Sequence, residues 1–520
     1  MKKLILFIIL MQIINIYSKA QVYLDDTFGD NGIVITDDSY HLELAYAIAL
    51  QTDGKIVVAG NTSAASIEDF LVVRYNTDGS LDTSFGNNGF SIIDFGNNTE
   101  CAYGIDIQDD GKIVVCGYTR DNGNNHDRFA TTRLNTDGTL DNTFNLTGTR
   151  IEIIGFDNYS YARKGYDVEV LADGKIIVGG TSNEDYAFVK YTTSGNLYSL
   201  FGSSGKVEYD LDGNYGEQAV AIGVDNNDKI VASGYSYRIC TTEMGIIRLN
   251  SDGSIDNSFS YDGQIVPDIA LGSEYAKAMA FQPDGKIITV GYNKDTSGYY
   301  DIEVIRLTEN GDLDNTFGTN GSVLQDFGYN ENRAYAVAIE DNGDILVAGS
   351  FGTISQYSLG LVRFKSDGSL DNSFGTNGLI LSNVGSSSRD RIRALLIQPD
   401  GKYLAAGHAY KYSGDFLVAR YLPQESKIIE IGSSIIDQNI YPNPSNESFI
   451  NLEYELKKKQ LVKIELIDIN GKLINLLLNE KSIAGKQNKT LAIPSDLQSG
   501  CYFVKITTEQ NSLSLKLLIK

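Results

Sequence analysis

Five carboxylates occur at one repeated position of this sequence and could act together as metal ligands. They are Glu43, Glu100, Glu217, Glu274 and Asp390, and each lies eleven residues before the glycine, or its equivalent, of a predicted turn. Arg163 and Asn332 occupy the two other equivalent positions. Ca²⁺ binds several carboxylate oxygens at once. We expect the five to line one mouth of a central channel and to hold a cation; alternatively, they are solvated or paired with Arg163 or Arg391.

Tyrosines are concentrated in the segments that vary in length along the chain. A phenol ring can stack on a sugar or anchor a protein partner. The alternative is that these rings only cover neighbouring elements. The predicted binding residues are Tyr118, Tyr161, Tyr235, Tyr237, Tyr292, Tyr299, Tyr300 and Tyr410.

Histidine and cysteine offer little for catalysis. The three histidines, His41, His126 and His408, fall in different parts of the chain, which argues against a histidine-rich metal site or a histidine-based triad. The four cysteines have no zinc-binding spacing. Cys101 and Cys116 lie on adjacent predicted strands, where they form either a disulfide or two buried thiols.

An internal repeat positions these residues. A strand ending in a basic residue is followed by a turn and then by a phrase such as Leu81-Asp82-Thr83-Ser84-Phe85-Gly86. Successive copies lie 57 to 59 residues apart. So regular a period indicates an array of one structural unit. The seven copies open at Leu24, Leu81, Leu140, Leu197, Ile255, Leu313 and Leu370.

Each copy contains a second turn, as at Asp53-Gly54-Lys55, and therefore four strands. Four antiparallel strands per repeat are typical of a propeller blade. The first copy lacks its beginning and the last lacks its end, so we expect the N-terminal strand to complete the last blade. The sequence predicts an all-β fold: a seven-bladed β-propeller of four-stranded blades, closed by the N-terminal strand.

A basic residue ends the third strand of every copy, and an aspartate follows in six of them. The third copy departs at both positions, with Lys190 and Tyr198. Because the basic residue and the aspartate change together in this copy, we infer that they form structural Arg–Asp pairs in the other six copies, and we expect those pairs to be bidentate. If the ring closes, Arg420 of the last copy pairs with Asp25 near the N-terminus.

Charge and targeting signals place the protein outside the cell. The net charge is −24, which disfavours nucleic acid and anionic membranes and leaves metal ions, neutral glycans or simple solubility. Lys2-Lys3, the apolar run from Leu4 to Ile16 and Ser18-Lys19-Ala20 predict a secretory signal peptide over residues 1–20. We expect no transmembrane segment after it.

The repeat phrase, joined to Asp-Gly-Lys-Ile, resembles the delta-60 repeat family of bacterial extracellular proteins over residues 22–421. The resemblance implies a propeller and says almost nothing about activity. The third copy departs most from the family pattern, because Tyr198 and Leu200 replace Asp and Ser/Thr.

The C-terminal segment is similar to the type A sorting domain of the type IX secretion system. The matching motifs are Tyr441-Pro442-Asn443-Pro444, Asp468-Ile469-Asn470-Gly471, Gly500-Cys501-Tyr502 and the terminal strand 516–520. The resemblance implies translocation across the outer membrane by the type IX machinery, removal of this domain, and release or surface attachment. Alternating strands with Pro, Asn and Gly turns predict a small β-sandwich.

The sequence thus predicts a signal peptide (1–20), a propeller (21–422), a linker (423–438) and a sorting β-sandwich (439–520). We expect a secreted or cell-surface scaffold that binds a glycan or a protein on its variable loops, without catalysis and without a cofactor other than Ca²⁺. One alternative is a carbohydrate-active hydrolase or lyase that uses carboxylates of that face, which would need a close carboxylate pair. The other is a structural component of a surface layer.

Overall fold

The computed structural model of the chain is all-β. It describes residues 23–36, 42–64, 67–96, 99–120, 123, 126–155, 162–211, 213, 215–238, 241–267, 269, 272–353, 356–384, 390–410, 414–423, 435–443, 448–456, 459–468, 472–494, 497–508 and 512–519. Across these ranges no helix is long and apolar enough to cross a membrane. The chain divides into two compact units, Met1–Ser426 and Lys427–Lys520.

The first unit is a propeller of seven antiparallel blades, numbered here along the chain. Blade 1 is β2 (Leu42–Leu50), β3 (Ile56–Ala64), β4 (Ile67–Tyr75) and β5 (Phe90–Ile93). Blade 2 is β6 (Glu100–Ile107), β7 (Ile113–Arg120), β8 (Asp127–Leu134) and β9 (Thr149–Glu152). Blade 3 is β10 (Arg163–Val170), β11 (Ile176–Ser182), β12 (Asp185–Tyr191) and β13 (Lys206–Tyr209). Blade 4 is β14 (Tyr215–Val224), β15 (Ile230–Tyr237), β16 (Thr242–Leu249) and β17 (Gln264–Ile265).

The remaining three blades follow the same order. Blade 5 is β18 (Ser273–Phe281), β19 (Ile287–Lys294), β20 (Tyr300–Leu307) and β21 (Ser322–Gln325). Blade 6 is β22 (Glu331–Ile339), β23 (Ile345–Thr353), β24 (Gln356–Phe364) and β25 (Leu379–Ser382). Blade 7 is β26 (Arg391–Ile397), β27 (Tyr403–Ala409), β28 (Asp415–Tyr421) and, from the N-terminus, β1 (Ile33–Thr36).

The ring is closed, as the split repeat predicted. β1 pairs antiparallel with β28, so that Ile33 lies opposite Ala419. The first strand of each blade packs against the first strands of both neighbours, and β2 of blade 1 packs against β26 of blade 7. These first strands are therefore the inner strands that surround the axis.

The middle strands are apolar on both faces because a blade lies on each side of them. Val57 packs in a cluster with Val115 of blade 2, whereas its neighbour Val58 packs in a cluster with Val418 of blade 7. All four valines are fully buried. Burying one such side chain contributes about 1.5–3 kcal/mol, so this alternation supplies much of the adhesion between blades.

The repeated phrase joins each blade to the next, and we call this contact the interblade latch. In blade 1, the guanidinium of Arg74 donates from Nε to Asp82 Oδ2 at 2.8 Å and from Nη1 to the carbonyl of Thr136 in blade 2. Gly86 N donates to the carbonyl of Asp137, also in blade 2, at 2.7 Å. Gly138 has φ +85°, and a Cβ there would lie 2.8 Å from the ring of Phe85, so the latch requires glycine.

In the latches that contain an aspartate, its two carboxylate oxygens bind different partners. The predicted bidentate Arg–Asp pairing is therefore wrong. Asp82 Oδ1 accepts from the Ser84 hydroxyl at 2.6 Å, while Oδ2 meets both Arg74 and Lys55 Nζ, the latter at 3.0 Å. In blade 3 the latch has no carboxylate: Lys190 Nζ donates to the carbonyl of Ser251 in blade 4 at 2.9 Å. With lysine in place of arginine and Tyr198 in place of the aspartate, blade 3 therefore still contacts the next blade, but without an ion pair among the described residues.

The latches make the propeller sensitive to acid. Burial alone would raise the pKa of Asp25, but hydrogen bonds from Thr27 and Lys402 and the charge of Arg420 outweigh it and lower the pKa from 3.8 to about 2. The pKa values of Asp141, Asp256 and Asp314 are likewise lowered to about 2. A lowered pKa in the folded state stabilises the fold above pH 3.8, and this stabilisation is lost as the pH falls towards 2.

We therefore expect the melting temperature to fall steeply between pH 3.8 and about 2. The drop should be smaller in Asp141→Asn, whose carbonyl oxygen can still accept hydrogen bonds but does not titrate. Thermal unfolding followed by circular dichroism across this pH range measures both. An equal drop in the variant would show that other carboxylates cause the acid sensitivity.

The second unit is a sandwich of two sheets around one core. Its strands are β29 (Ile435–Tyr441), β30 (Phe449–Leu456), β31 (Gln460–Asp468), β32 (Leu473–Ser482), β33 (Gly485–Ala492), β34 (Gly500–Thr508) and β35 (Ser512–Ile519). The sheet orders are β29-β30-β33 and β32-β31-β34-β35. Leu452 of one sheet and Ile464 of the other belong to the same buried cluster. Asn443 ties the start of the unit to its last strand, because its Oδ1 accepts from Leu518 N at 2.9 Å.

Candidate binding pocket on the propeller axis

Every inner strand carries a β-bulge at the same place. The register against the second strand jumps across one residue, for example between Ala45 and Ala47 in β2. A bulged residue leaves the hydrogen-bonded ladder, and its side chain is aimed differently from those of its neighbours. The seven residues bracketed by these jumps, one per blade, are Tyr46, Tyr103, Tyr166, Val220, Lys277, Tyr335 and Arg393.

These seven residues meet at the axis and form what we call the axial pocket. Together with Gln218 and Tyr235 they line a cavity of about 190 Å³. Cavities that hold drug-sized ligands measure about 300–1,000 Å³, so this one suits a single ring or side chain. The architecture thus places one side chain from each of seven blades around one small ligand-sized space.

One side of the axial pocket is aromatic. The ring of Tyr103 lies 5.0 Å from that of Tyr46 and 5.2 Å from that of Tyr166, measured between ring centroids. Tyr118 stacks behind Tyr103 at 5.9 Å. Such rings offer flat apolar faces and hydroxyl groups together, as sugar-binding and protein-binding surfaces do.

The other side of the axial pocket is cationic. Lys277 Nζ lies 5.0 Å from the ring centre of Tyr235, and the Arg393 guanidinium lies 4.4 Å from that of Tyr335. Burial, and then the charges of Arg393 and Arg333, lower the pKa of Lys277 to about 8. Nearby, burial followed by Arg393 and Arg391 lowers the pKa of His408 to about 3. Lys277 and His408 therefore experience mainly positive charge, whereas the carboxylates of Glu68 and Asp127 act on the aromatic side of the pocket.

The predicted carboxylates are not among the residues that line the axial pocket, and they are buried. Glu100 is fully buried and accepts from Phe95 N at 2.9 Å, and Glu217 accepts from Leu211 N at 2.7 Å. Asp390 accepts from Tyr410 N at 3.1 Å. Glu43 and Glu274 are each 1% exposed.

These carboxylates therefore do not line a channel mouth, and most of them fasten loops. In blade 3, Arg163 does the equivalent work by donating from Nε to the carbonyl of Ile154 at 3.0 Å. The sequence argument chose a position three residues from the bulge. Side chains there are buried against loop backbone, whereas the bulged residues line the axial pocket.

Two of the carboxylates form trios that could give oxygen ligands to a cation such as Ca²⁺. Within each trio the oxygens lie within 4.8 Å of one another. The trios are Asp69 with Asp94 and Glu100, and Asp185 with Asp210 and Glu217. At the junction of blades 5 and 6, the amide of Asn332 stands beside Asp301 and Asp326 instead, at 3.3 and 3.4 Å.

The predicted tyrosines fall into three groups. Tyr235 lines the axial pocket, and Tyr118 and Tyr292 are buried beside it. Tyr237, Tyr299 and Tyr410 are each more than one-third exposed, and Tyr300 packs edge-on against Tyr292. Tyr161 lies outside the described residues.

Sequence reasoning missed four pocket tyrosines, Tyr46, Tyr103, Tyr166 and Tyr335, because they lie within strands rather than loops. Comparing the residue eight before each turn glycine across the seven repeats would have grouped the four tyrosines, although it would not have placed them at the axis.

Cys101 and Cys116 are free and buried. They lie on either side of the bulge at Tyr103: Cys101 is opposite Tyr118, and Cys116 is opposite Gly104. Of the two alternatives for this pair, the structure has two buried thiols.

Two larger grooves, of about 410 and 500 Å³, lie among the repeated turns of blades 4 to 6. Their walls include the latch residues Arg248 and Arg306. We attribute both grooves to the spacing of the latches, because their lining comes from turns that every blade repeats.

Comparison with known families agrees with this architecture. The family described as "Domain of unknown function (DUF5122) beta-propeller" matches residues 51–85, 108–144, 171–197, 226–259, 282–317, 340–374 and 398–424. The first unit thus carries seven DUF5122 beta-propeller repeats. The delta-60 repeat that the sequence resembles is nearly a synonym of this family, so that prediction is confirmed.

The DUF5122 propeller is followed by a domain described as "Secretion system C-terminal sorting domain", which matches residues 439–520. This domain marks the protein for type IX secretion to the extracellular space or the outer cell surface. None of the curated proteins matches the chain.

Three solved structures show remote likeness to this chain. PorZ of the type IX secretion system of Porphyromonas gingivalis is 10% identical, with 92% of this chain and 81% of that chain covered and a TM-score of 0.24. The β-propeller of the Trilobed protease from Pyrococcus furiosus is 11% identical, covering 73% and 96%, with a TM-score of 0.34. The polysaccharide lyase Uly1 is 12% identical, covering 79% and 94%, with a TM-score of 0.37. Likeness at this level carries no argument about function.

Proposed function

We propose that the secreted chain is a non-catalytic binding protein that takes up one residue of a glycan, or one side chain of a protein, in the axial pocket. The observation that carries the proposal is the ring of seven bulged residues, one from each blade, around a cavity of about 190 Å³. A rigid scaffold with variable loops around such a space is a common arrangement for recognition.

We expect a ligand to reach the axial pocket from the face that carries the variable connections. Gln218 and Tyr235, which lie opposite each other, contribute to its wall. Both are closer to the ends of their strands that lead into variable loops than to the repeated turn between β14 and β15. A ligand entering from this face would therefore meet the loops first and the bulged residues second.

The lining also favours binding over hydrolysis. Glycoside hydrolysis generally uses two carboxyl groups about 5–10 Å apart. None of the described lining residues of the axial pocket is a carboxylate. Release of new reducing ends, or of unsaturated sugars, from a bound glycan would contradict the non-catalytic part of the proposal.

We expect Tyr103→Ala to weaken binding of a glycan-array ligand by about tenfold or more, which is about 1.4 kcal/mol. Tyr103 touches the rings of three other tyrosines, so its removal opens one wall of the axial pocket. The matched control is Tyr261→Ala, because Tyr261 is 90% exposed and is not among the pocket-lining residues. Isothermal titration of each purified variant measures the effect, after a melting curve shows that it is folded.

Equal affinity of the Tyr103→Ala and Tyr261→Ala variants would place the binding site elsewhere. A glycan array and a surface-protein pull-down that both return no ligand for the wild type would count against the proposed function as a whole.

A further inference from the structure

We infer that the axial pocket recognises an acidic group, so that its ligand is a saccharide carrying a carboxylate or a sulfate ester. This inference rests on the proposed function, because it takes the axial pocket as the binding site. It names a ligand class that the overall charge of the chain does not suggest, since a net charge of −24 would repel anions.

The first observation is that two cations of the axial pocket have no anionic partner. Within the described ranges, Lys277 and Arg393 make no ion pair and no protein hydrogen bond; their contacts are with the faces of tyrosine rings. Elsewhere in the propeller, basic side chains of the latches are held by carboxylates, as Arg74 is held by Asp82 at 2.8 Å. Half-buried charges that lack such a partner are poised to receive one from a ligand.

The second observation is a set of three further basic residues on the inner strands that surround the pocket. Arg333, Arg391 and Lys164 lie two residues before the bulged residue of their own strands. Arg333 pairs with Glu331 at 2.7 Å, Arg391 donates to the hydroxyl of Tyr357 at 2.8 Å, and Lys164 lies 3.5 Å from Asp127. Because Arg333 and Lys164 are each balanced by a carboxylate, it is Arg391, which bonds a neutral hydroxyl, that adds to the positive field on the side of Lys277 and Arg393, where low-polarity walls focus it.

The third observation is the mixture of cations with aromatic rings. Tyr46, Tyr103 and Tyr166 come from three consecutive blades on one side of the pocket, and on the other side Lys277 and Arg393 flank Tyr335. A site for an inorganic anion needs only donors, whereas a flat ring wall opposite two cations matches a sugar ring that bears an anionic group. Arginine and tyrosine are also the residues that most often dominate binding energy when they are desolvated.

The test compares three probes of equal length on the purified full chain: an oligogalacturonate, a chondroitin sulfate oligosaccharide and a neutral maltooligosaccharide. We expect one acidic probe to bind at least about tenfold more tightly than the neutral one, and salt to weaken that binding. Lys277→Gln and Arg393→Gln should each weaken it by about tenfold or more, as loss of a charge-assisted hydrogen bond does.

The matched control is Lys365→Gln, which removes the same charge from an exposed turn residue outside the axial pocket and should leave the affinity unchanged. Val220→Lys adds a cation to the ring and should strengthen binding of the acidic probe. Melting curves show whether each variant is folded.

The probes separate the possible results. If only the oligogalacturonate binds, the recognised group is a carboxylate. If only the chondroitin sulfate binds, and it still binds after its uronate is reduced to the neutral sugar, the recognised group is a sulfate ester. If a neutral glycan binds as tightly, and Tyr103→Ala weakens it while Lys277→Gln and Arg393→Gln do not, the inference is overturned and the proposed function stands. Failure of all three probes, or preference for an acidic peptide, also overturns the inference.

Discussion

Asp25→Ala should lower the melting temperature of the propeller more than any other single latch substitution. Asp25 Oδ2 lies 2.9 Å from Arg420 Nε and 3.2 Å from Lys402 Nζ, and it joins the two ends of the ring. Both Asp25 and Arg420 are less than one-tenth exposed. Removing one partner of a buried ion pair costs about 3–5 kcal/mol, because the other charge is left buried. With an unfolding entropy of about 2.1 cal/mol/K per residue, a propeller of about 400 residues loses about 1.2 °C per kcal/mol, so we expect a drop of about 4–6 °C.

Two variants make this result specific. Asp26→Ala removes an exposed carboxylate from the next residue and should change the melting temperature little. Asp82→Ala breaks the equivalent contact inside blade 1, where the chain is continuous, and should cost less than Asp25→Ala. Differential scanning calorimetry of the three variants measures this order. If Asp25→Ala is no worse than Asp82→Ala, closure by β1 adds nothing beyond one latch.

Deleting residues 439–520 should abolish secretion in the native host while leaving the propeller's melting temperature nearly unchanged. The sorting domain addresses the chain to the type IX machinery, and it has its own core, which includes Leu452 and Ile464. Domains that are joined by a linker and have separate cores usually unfold independently. Immunoblots of medium and cell fractions measure export, and calorimetry of the truncated chain measures stability.

A complementary experiment transfers the sorting domain to another protein. A folded periplasmic protein fused to residues 427–520 should appear at the cell surface or in the medium, and the same protein without them should stay in the periplasm. Normal amounts of the truncated propeller in the medium would show that the export signal lies elsewhere in the chain.

The sequence predicted the ring and its closure because both depend on repetition. Seven copies of one phrase, together with complementary fragments at the two ends, require Asp25 to stand where Asp82 stands in blade 1. That pairing is observed at 2.9 Å. Pairing partners within a blade follow from the spacing of residues, which the sequence displays directly.

The axial pocket could not be predicted in this way. A strand alternates its side chains with a period of two, and one bulge reverses that phase for all residues beyond it. The sequence gives no sign of a bulge at Tyr103, so the carboxylates eleven residues before the turn were assigned to the axis and the residues eight before it were not. The sequence also did not predict that Asp82 would bind both Arg74 and Ser84. That arrangement depends on a contact between blades, because Arg74 also donates to the carbonyl of Thr136 in the next blade.

The bulges have a consequence for how such proteins can diversify. A residue outside the hydrogen-bonded ladder can change without altering the pairing of its strand, so each blade carries one position that is free of the constraints on the rest of the repeat. In blade order, the seven bulged residues of this protein are Tyr, Tyr, Tyr, Val, Lys, Tyr and Arg, and each position can be substituted independently of the others. If the axial pocket is the binding site, point substitutions at these seven positions would alter its lining while the paired strands of the repeat stayed unchanged.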